Sequence, residues 1–324
     1  MKHTLLYLSL KDVDSLHISM KEVISALEKM FIEKSEGRVE MPPKPGIHTR
    51  PDAFIHAMPA YLPSMNSAGI KWVGGYPDNH EKGLPYITGL LVLNDPDTGL
   101  PLAVMDCAWI TAMRTGAATA VAAKYAAVEG AQVVTILGCG VQGESNLAAL
   151  AEVLDIELLK VYDIDTNKAD DYRRKMEERH RITIEVKNSS ETAVKESQVI
   201  VTAGPFLKDA HPSIEYSWIS KGAFCCPLDL DSYFKPDVFN RSDLLYTDDI
   251  AQFKHFREEG YFSGVSRDDI RDLSDVVSKK LPAREDENQI VTSINIGIAL
   301  EDMAVAPLVY AEAKKQDVGV RLEL

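Results

Sequence analysis

The chain has 324 residues, enough for two domains and a sizeable core. It is 45% hydrophobic and 26% charged, the balance of a soluble globular protein, and its net charge of −14 argues against nucleic acid or an anionic membrane surface as a partner. No basic-then-apolar leader opens it and no apolar run reaches the length of a membrane span, so a cytoplasmic, unanchored protein is expected.

Thr4 to Leu8 reads as a short strand, followed by a polar turn. Ser19 and Glu22 form a capping box for a helix with the apolar stripe Met20, Val23, Ile24, Leu27, Met30 and Phe31, ended by Gly37. The prolines of Met41–Pro45 hold that segment extended. Short strands then alternate with turns: Ala53–Met58, Ala68–Val73, Tyr86–Asn94 and Leu102–Cys107. The turn signals are Pro77-Asp78-Asn79, Lys82-Gly83 and Asp95–Gly99. Together they predict an antiparallel or mixed sheet in an α+β unit. A helix from Thr111 to about Val128 follows. Half of residues 112–127 are alanine, which suits close packing at a domain joint or subunit contact, although alanine is also the best helix former.

From Gln132 onward strands and helices alternate. Val133–Leu137 reads as a buried strand, broken by Gly138-Cys139-Gly140-Val141-Gln142-Gly143. A helix carries Leu147, Leu150 and Val153, and a second strand, Leu158–Tyr162, ends in Asp163. That is a GxGxxG turn with strand before, helix after and an acid at the end of the next strand, the arrangement that binds a dinucleotide. The glycines let the backbone approach a pyrophosphate, which meets unpaired N–H groups at the helix N-terminus. Asp163 favours NAD, since a carboxylate accepts from a free 2′-hydroxyl and repels a 2′-phosphate. Lys168 is the one nearby cation in sequence, so NADP use stays open.

Further strands are expected at Ile182–Val186, Gln198–Thr202, Ala223–Cys226, Leu244–Thr247 and Gln289–Ser293. Helical patterns lie near 166–180, 189–196, 248–259 and 266–278. The alternation predicts a doubly wound parallel sheet of α/β class. A last helix, Ile298–Lys315, kinked at Pro307, lies beyond the final strand and is expected to return to the first domain. The Rossmann domain, 116–298, is then inserted in a discontinuous α+β domain formed by 1–115 and 299–324.

Several polar residues are candidates for chemistry. Lys71 interrupts an apolar strand, so it either faces solvent or serves a site. Arg114 opens a helix, where it either forks onto a carboxylate or phosphate or is a surface arginine. Asp229 and Asp231 follow an apolar strand, where ligands bind in open α/β sheets and where acids also simply cap turns. Cys225-Cys226 is either a redox pair or two buried strand residues; the four cysteines, with Cys107 and Cys139, have no zinc or disulfide spacing.

Seven segments, with the glycine turn, resemble the ornithine cyclodeaminase/μ-crystallin family, and most its archaeal-type alanine dehydrogenase branch: Met41–Lys44, Met58–Tyr61, Lys71–Val73, Lys82–Pro85, Thr98–Asp106, Arg114–Ala118 and Glu301–Ala306. The resemblance implies a homodimer, with the N-terminal segment and last helix building the dimerisation and substrate domain. It implies that Lys44, Lys71 and Arg114 grip a substrate carboxylate, with Lys71 also moving protons. Asp231 falls at the position of the acid/base aspartate, and Thr115, Gln142 and Asp163 at dinucleotide contacts.

Departures from the family's pattern cluster around substrate and nicotinamide. Phe224–Asp229 stands where relatives have histidine-asparagine-alanine-isoleucine-glycine, and Asp229-Leu230 replaces the small glycine before the acid/base aspartate. His56 stands for an arginine, Ser293-Ile294-Asn295 for phenylalanine-x-serine, and Tyr86 for a smaller residue. Asp229 or His56 is therefore expected to recognise a polar group of the substrate, with Asp229 as a plain loop acid the alternative. The implied function is an NAD(P)-dependent amino-acid dehydrogenase or imine reductase acting on a small amino, imino or 2-oxo acid. A cyclodeaminase without net redox change and a nucleotide-dependent binding protein, as μ-crystallin is, are the alternatives.

Overall fold

A computed structural model describes residues 4–205, 207 and 210–324. Its contacts divide the chain into two compact units, one of residues 1–114 with 298–324 and one of residues 115–297.

The first unit is built on a mixed seven-stranded sheet. Its order is Val320–Glu323, Thr4–Leu8, Pro101–Asp106, Ile87–Asn94, Ser67–Gly75, Ala53–Leu62, Gly46–Arg50. Thr4–Leu8 pairs in parallel with Pro101–Asp106, and the remaining neighbours are antiparallel. Along Ala53–Leu62 buried and part-exposed residues alternate, the period-two pattern of a sheet with one covered face. The covering helix is Ala299–Gln316, which continues through Pro307 and packs on Ala53–Leu62, Ser67–Gly75 and the helix Met20–Ser35.

Three elements of this unit went unforeseen. The expected polar turn is a helix, Leu10–Asp14, because Ser9 and Asp12 form a capping box. Gly46–Arg50 and Val320–Glu323 are edge strands with every residue exposed; the first has no hydrophobic alternation, and the second alternates over only four residues, too short a run to stand out.

The second unit holds eight parallel strands in the order Arg271–Asp272, Leu244–Thr247, Val291–Ile294, Phe224–Pro227, Val199–Thr202, Val133–Leu137, Leu158–Tyr162, Thr183–Val186. The order reverses between Val133–Leu137 and Val199–Thr202, so a crevice opens there at the strands' carboxyl ends. The helical pattern expected at 266–278 shrinks to Leu273–Val277, because Arg271–Asp272 adds an edge strand and Asp272 caps the helix by accepting from Ser274 N.

Candidate active site

The first unit places two of its three candidate cations, Lys71 and Arg114, together. Lys71 lies mid-strand with its side chain on the covered face, fully buried, so it does not face solvent. Its Nζ donates to Asp302 Oδ1 at 2.8 Å and more weakly to Thr111 Oγ1 at 3.4 Å. Arg114 Nη1 donates to Glu301 Oε2 at 2.8 Å, and its Nε lies 3.4 Å from Asp302 Oδ1. Both acids are fully buried in the first turn of Ala299–Gln316, where the helix dipole favours negative charge. Desolvation, then the Arg114 charge, push Lys71 toward its neutral form, and Asp302 opposes them.

Lys44 is buried in the segment before the edge strand Gly46–Arg50. His56 is buried with its ring stacked on Phe54 at 4.2 Å. Tyr86 is half-buried just before Ile87–Asn94.

In the second unit the glycine turn spans the crevice. Gly138 has φ +103°, and a Cβ there would stand 2.7 Å from Ala203 O, in the loop across the switch point. Gly143 lies in the helix Val141–Leu150, and a Cβ there would stand 2.3 Å from Gly138 O, so helix and strand end pack at glycine distance. Gly140 is the N-cap of that helix, makes no side-chain cap, and has no atom within 4 Å of its would-be Cβ. The open approach, the exposed Val141 and the uncapped N–H groups form a cradle for an anion. Gln142 Oε1 accepts from Ser145 Oγ at 3.3 Å, and Thr115 stands half-buried in the helix Ala108–Ala126.

Asp163 Oδ2 accepts from Cys139 N at 2.8 Å and Oδ1 from Asp165 N at 3.0 Å, so the acid is tied to the glycine turn itself. Beside it opens a cleft lined by Tyr162, Ile164, Thr166, Lys187 and Asn188. The cation in this lining is Lys187 rather than Lys168, because Thr183–Val186 runs alongside Leu158–Tyr162.

Asp229 and Asp231 part company at Leu230, which adopts left-handed backbone at φ +60°. A non-glycine residue is strained there, at the place where the resemblance expects a glycine. Asp229 turns inward. Its Oδ1 accepts from Thr202 Oγ1 at 2.7 Å and its Oδ2 from Gly204 N at 3.1 Å. Complete burial raises its pKa to about 7. Oδ1 is thus held by the last residue of Val199–Thr202 and Oδ2 by the loop that follows, contacts that a plain loop acid would make. Asp231 is half-buried, accepts from Phe262 N at 2.6 Å, and has its pKa raised by burial. Asn295, just past Val291–Ile294, is buried; its Oδ1 accepts from Ser293 Oγ at 2.9 Å, and its Nδ2 has no partner among the described residues. A buried donor left unmatched at a strand's carboxyl end is suited to a ligand acceptor. Cys225 and Cys226 are free, wholly buried residues of Phe224–Pro227, and burial pushes the Cys225 thiol up to about 12, the surroundings of buried strand residues.

Glu301 and Asp302 were legible only as a family motif. The signal available was two adjacent acids inside the apolar run from Ile298 to Ala306.

A model of the ornithine cyclodeaminase/mu-crystallin family matches residues 5–317. The alanine dehydrogenase of Archaeoglobus fulgidus is 34% identical over 325 residues, spanning 98% of each chain. Among solved structures, an archaeal alanine dehydrogenase dimer with bound NAD is 31% identical, with a TM-score of 0.88 over 99% of both chains. The Thermococcus litoralis Δ1-pyrroline-2-carboxylate reductase in complex with NADH and L-proline is 31% identical, with a TM-score of 0.86 over 98% of this chain and 99% of that one.

Proposed function

The chain belongs to the ornithine cyclodeaminase/mu-crystallin family, and on that premise we propose that it is an NAD-linked oxidoreductase acting on the CH–NH2 or C=N group of a small amino, imino or 2-oxo acid. The observation that carries the reading is the pair of buried cations, Lys71 and Arg114, gathered around the buried acids Glu301 and Asp302 in the strand–helix core of the first unit. A desolvated ammonium and guanidinium are a receptor for one small carboxylate. Lys44 is assigned to the same carboxylate, and His56 to the substrate's remaining polar group.

The dinucleotide fits the second unit. Gly138, Gly140, Val141, Gln142 and Gly143 would hold its pyrophosphate, Asp163 the adenosine ribose, and Thr115 and Asn295 the remainder, with Asn295 Nδ2, unpartnered among the described residues, donating to it. NAD, when bound, supplies the hydride chemistry. Asp231 is assigned the proton transfer at the substrate nitrogen or its water. Burial makes it hold a proton more readily than an exposed aspartate, the direction a general acid requires. Asp163 supports NAD over NADP, since its carboxylate stands where a 2′-phosphate would be repelled.

A second copy of this chain is the proposed partner. Trp72 and Leu90 are cross-strand neighbours on the sheet's outer face, 47% and 45% exposed, an apolar patch suited to an isologous contact. No helix among the described residues is long and apolar enough to cross a membrane, and we place the protein in the cytoplasm with its four free cysteines reduced.

The test is a panel of 2-oxo acids with ammonia or methylamine, and of cyclic imines, followed at the reduced-nicotinamide absorbance band. NADH consumption with one of them is expected. Deamination and ring closure of a diamino acid without net absorbance change would replace the reading with a cyclodeaminase; ligand binding without turnover would replace it with a carrier.

A further inference from the structure

Each cation assigned to the substrate carboxylate is already engaged by an acid, and the two acids are consecutive residues of one helix turn. The four buried side chains Lys71, Arg114, Glu301 and Asp302 carry two positive and two negative charges, so the cluster is balanced. A lone ammonium would not stay charged in such surroundings. We propose that Asp302 is the positioning residue that aims the Lys71 ammonium and keeps it charged, and that Glu301 aims the Arg114 guanidinium, which needs no partner to stay charged. The proposal rests on the reading of Lys71 and Arg114 as the carboxylate receptor and deepens it.

The groups that face Lys71 are Asp302, Arg114, Cys107 and Thr111. Arg114 repels its charge, and Thr111 is neutral. The Cys107 thiol is pushed up to about 11 by burial, so it carries no charge near neutral pH. Asp302 is therefore the anion that offsets desolvation. Geometry adds aim. An ammonium has three N–H groups; Asp302 takes one and Thr111 another, which leaves the third for a ligand oxygen. A neutral amine would have one N–H fewer and would present a lone pair that repels a carboxylate. Among the described residues the contacts of Asp302 are to the two cations, Lys71 and Arg114, through Oδ1, while its Oδ2 is buried without a partner.

The experiment compares wild type, Asp302→Asn and Glu301→Gln, reading kcat and KM for the organic acid across pH with KM for NADH alongside. For Asp302→Asn, the basic limb of kcat/KM should move down by at least one pH unit. KM for the organic acid should rise about tenfold above neutral pH and recover on acidification, with KM for NADH unchanged. Glu301→Gln should raise that KM without moving the limb, because an arginine stays charged. A wild-type profile in Asp302→Asn, or a loss equal at every pH, overturns the proposal.

Thermal unfolding reads the pair without turnover, so a wild type that reduces no acid in the panel sinks the functional reading but not this one. With Asp302 gone, the Lys71 pKa falls further below its unfolded value. Stability is then present at high pH and lost as pH falls through the lowered folded value. Asp302→Asn should therefore lose Tm progressively on acidification, and Lys71→Met/Asp302→Asn should abolish that slope. If Asp302→Asn does not fold, a folded double variant supports the pairing. A curve parallel to wild type, or failure of both variants to fold, overturns it.

Discussion

Two glycines of one turn make opposite predictions, which separates a binding role from a packing role. At Gly140 an added Cβ would meet no atom within 4 Å, and its φ of −94° suits any residue. Gly140→Ala should therefore fold with stability within about 0.5 kcal/mol of wild type, the range of surface changes. The methyl group would occupy the space by which a pyrophosphate reaches the helix N-terminus. Displacing a ligand there by part of a methyl radius resembles overpacking, about 1–3 kcal/mol. NADH affinity should then fall by about 10- to 100-fold, at ~1.4 kcal/mol per decade. At Gly143 the added Cβ would stand 2.3 Å from Gly138 O, a backbone atom that cannot swing aside. Gly143→Ala must move strand end against helix, so it should lose Tm and cofactor binding together. Fluorescence titration with NADH and thermal unfolding of both variants are the assays. Gly140→Ala binding NADH as wild type does would refute the assignment of the turn to the pyrophosphate.

Asp163→Ala removes the carboxylate that would face a 2′-phosphate. The NADPH-to-NADH ratio of kcat/KM should rise about tenfold or more, from a repulsion of about 1–4 kcal/mol at ~4 Å. NADH binding should weaken too, since Cys139 N loses its acceptor. Asp231→Asn should lower kcat by about 100-fold or more while leaving NADH affinity unchanged; an active variant would remove Asp231 from proton transfer. Trp72→Asp puts a charge on the outer sheet face and should convert a dimer to a monomer in light scattering, and a monomeric wild type would refute that interface. For Asp229, a pKa raised to about 7 means stability is greatest below the ordinary carboxyl range and is lost as pH rises through about 7. Asp229→Asn should gain Tm relative to wild type over that window, on top of a constant offset for a lost acceptor; parallel curves would contradict the buried charge.

The parts of the molecule readable in sequence are those governed by short-range patterns. The helix from Met20 was visible because Ser19 and Glu22 cap it and its stripe has helical spacing. Val133–Leu137 was visible because a parallel strand covered on both faces is nearly continuously apolar, interrupted here by Thr135 alone. The edge strands Gly46–Arg50 and Val320–Glu323 were not, because an exposed edge makes no demand on side-chain pattern. The acids after Phe224–Pro227 show the same limit at the site. Asp229 and Asp231 are equivalent in sequence, and the left-handed turn at Leu230 sends one to Thr202 and the other to Phe262 N.

Lys71 shows why burial alone could not decide the remainder. A lysine in an apolar strand poses a choice between solvent and a site, and hydropathy has no term for a partner 231 positions away. Asp302 arrives there because the last helix packs over the central strands of the first sheet, a contact set by tertiary assembly. The same packing brings Glu301 to Arg114 over 187 positions. Two adjacent acids in a helix point in different directions, about 100° apart, so one turn can serve two cations on different elements. A single acid would leave one cation unbalanced in the core, and its cost would fall on the fold before any substrate arrived. Adjacent acids in the apolar first turn of the closing helix thus balance two buried cations in advance, and on the proposed reading of Lys71 and Arg114, Glu301-Asp302 is the mark that the receptor leaves in the sequence.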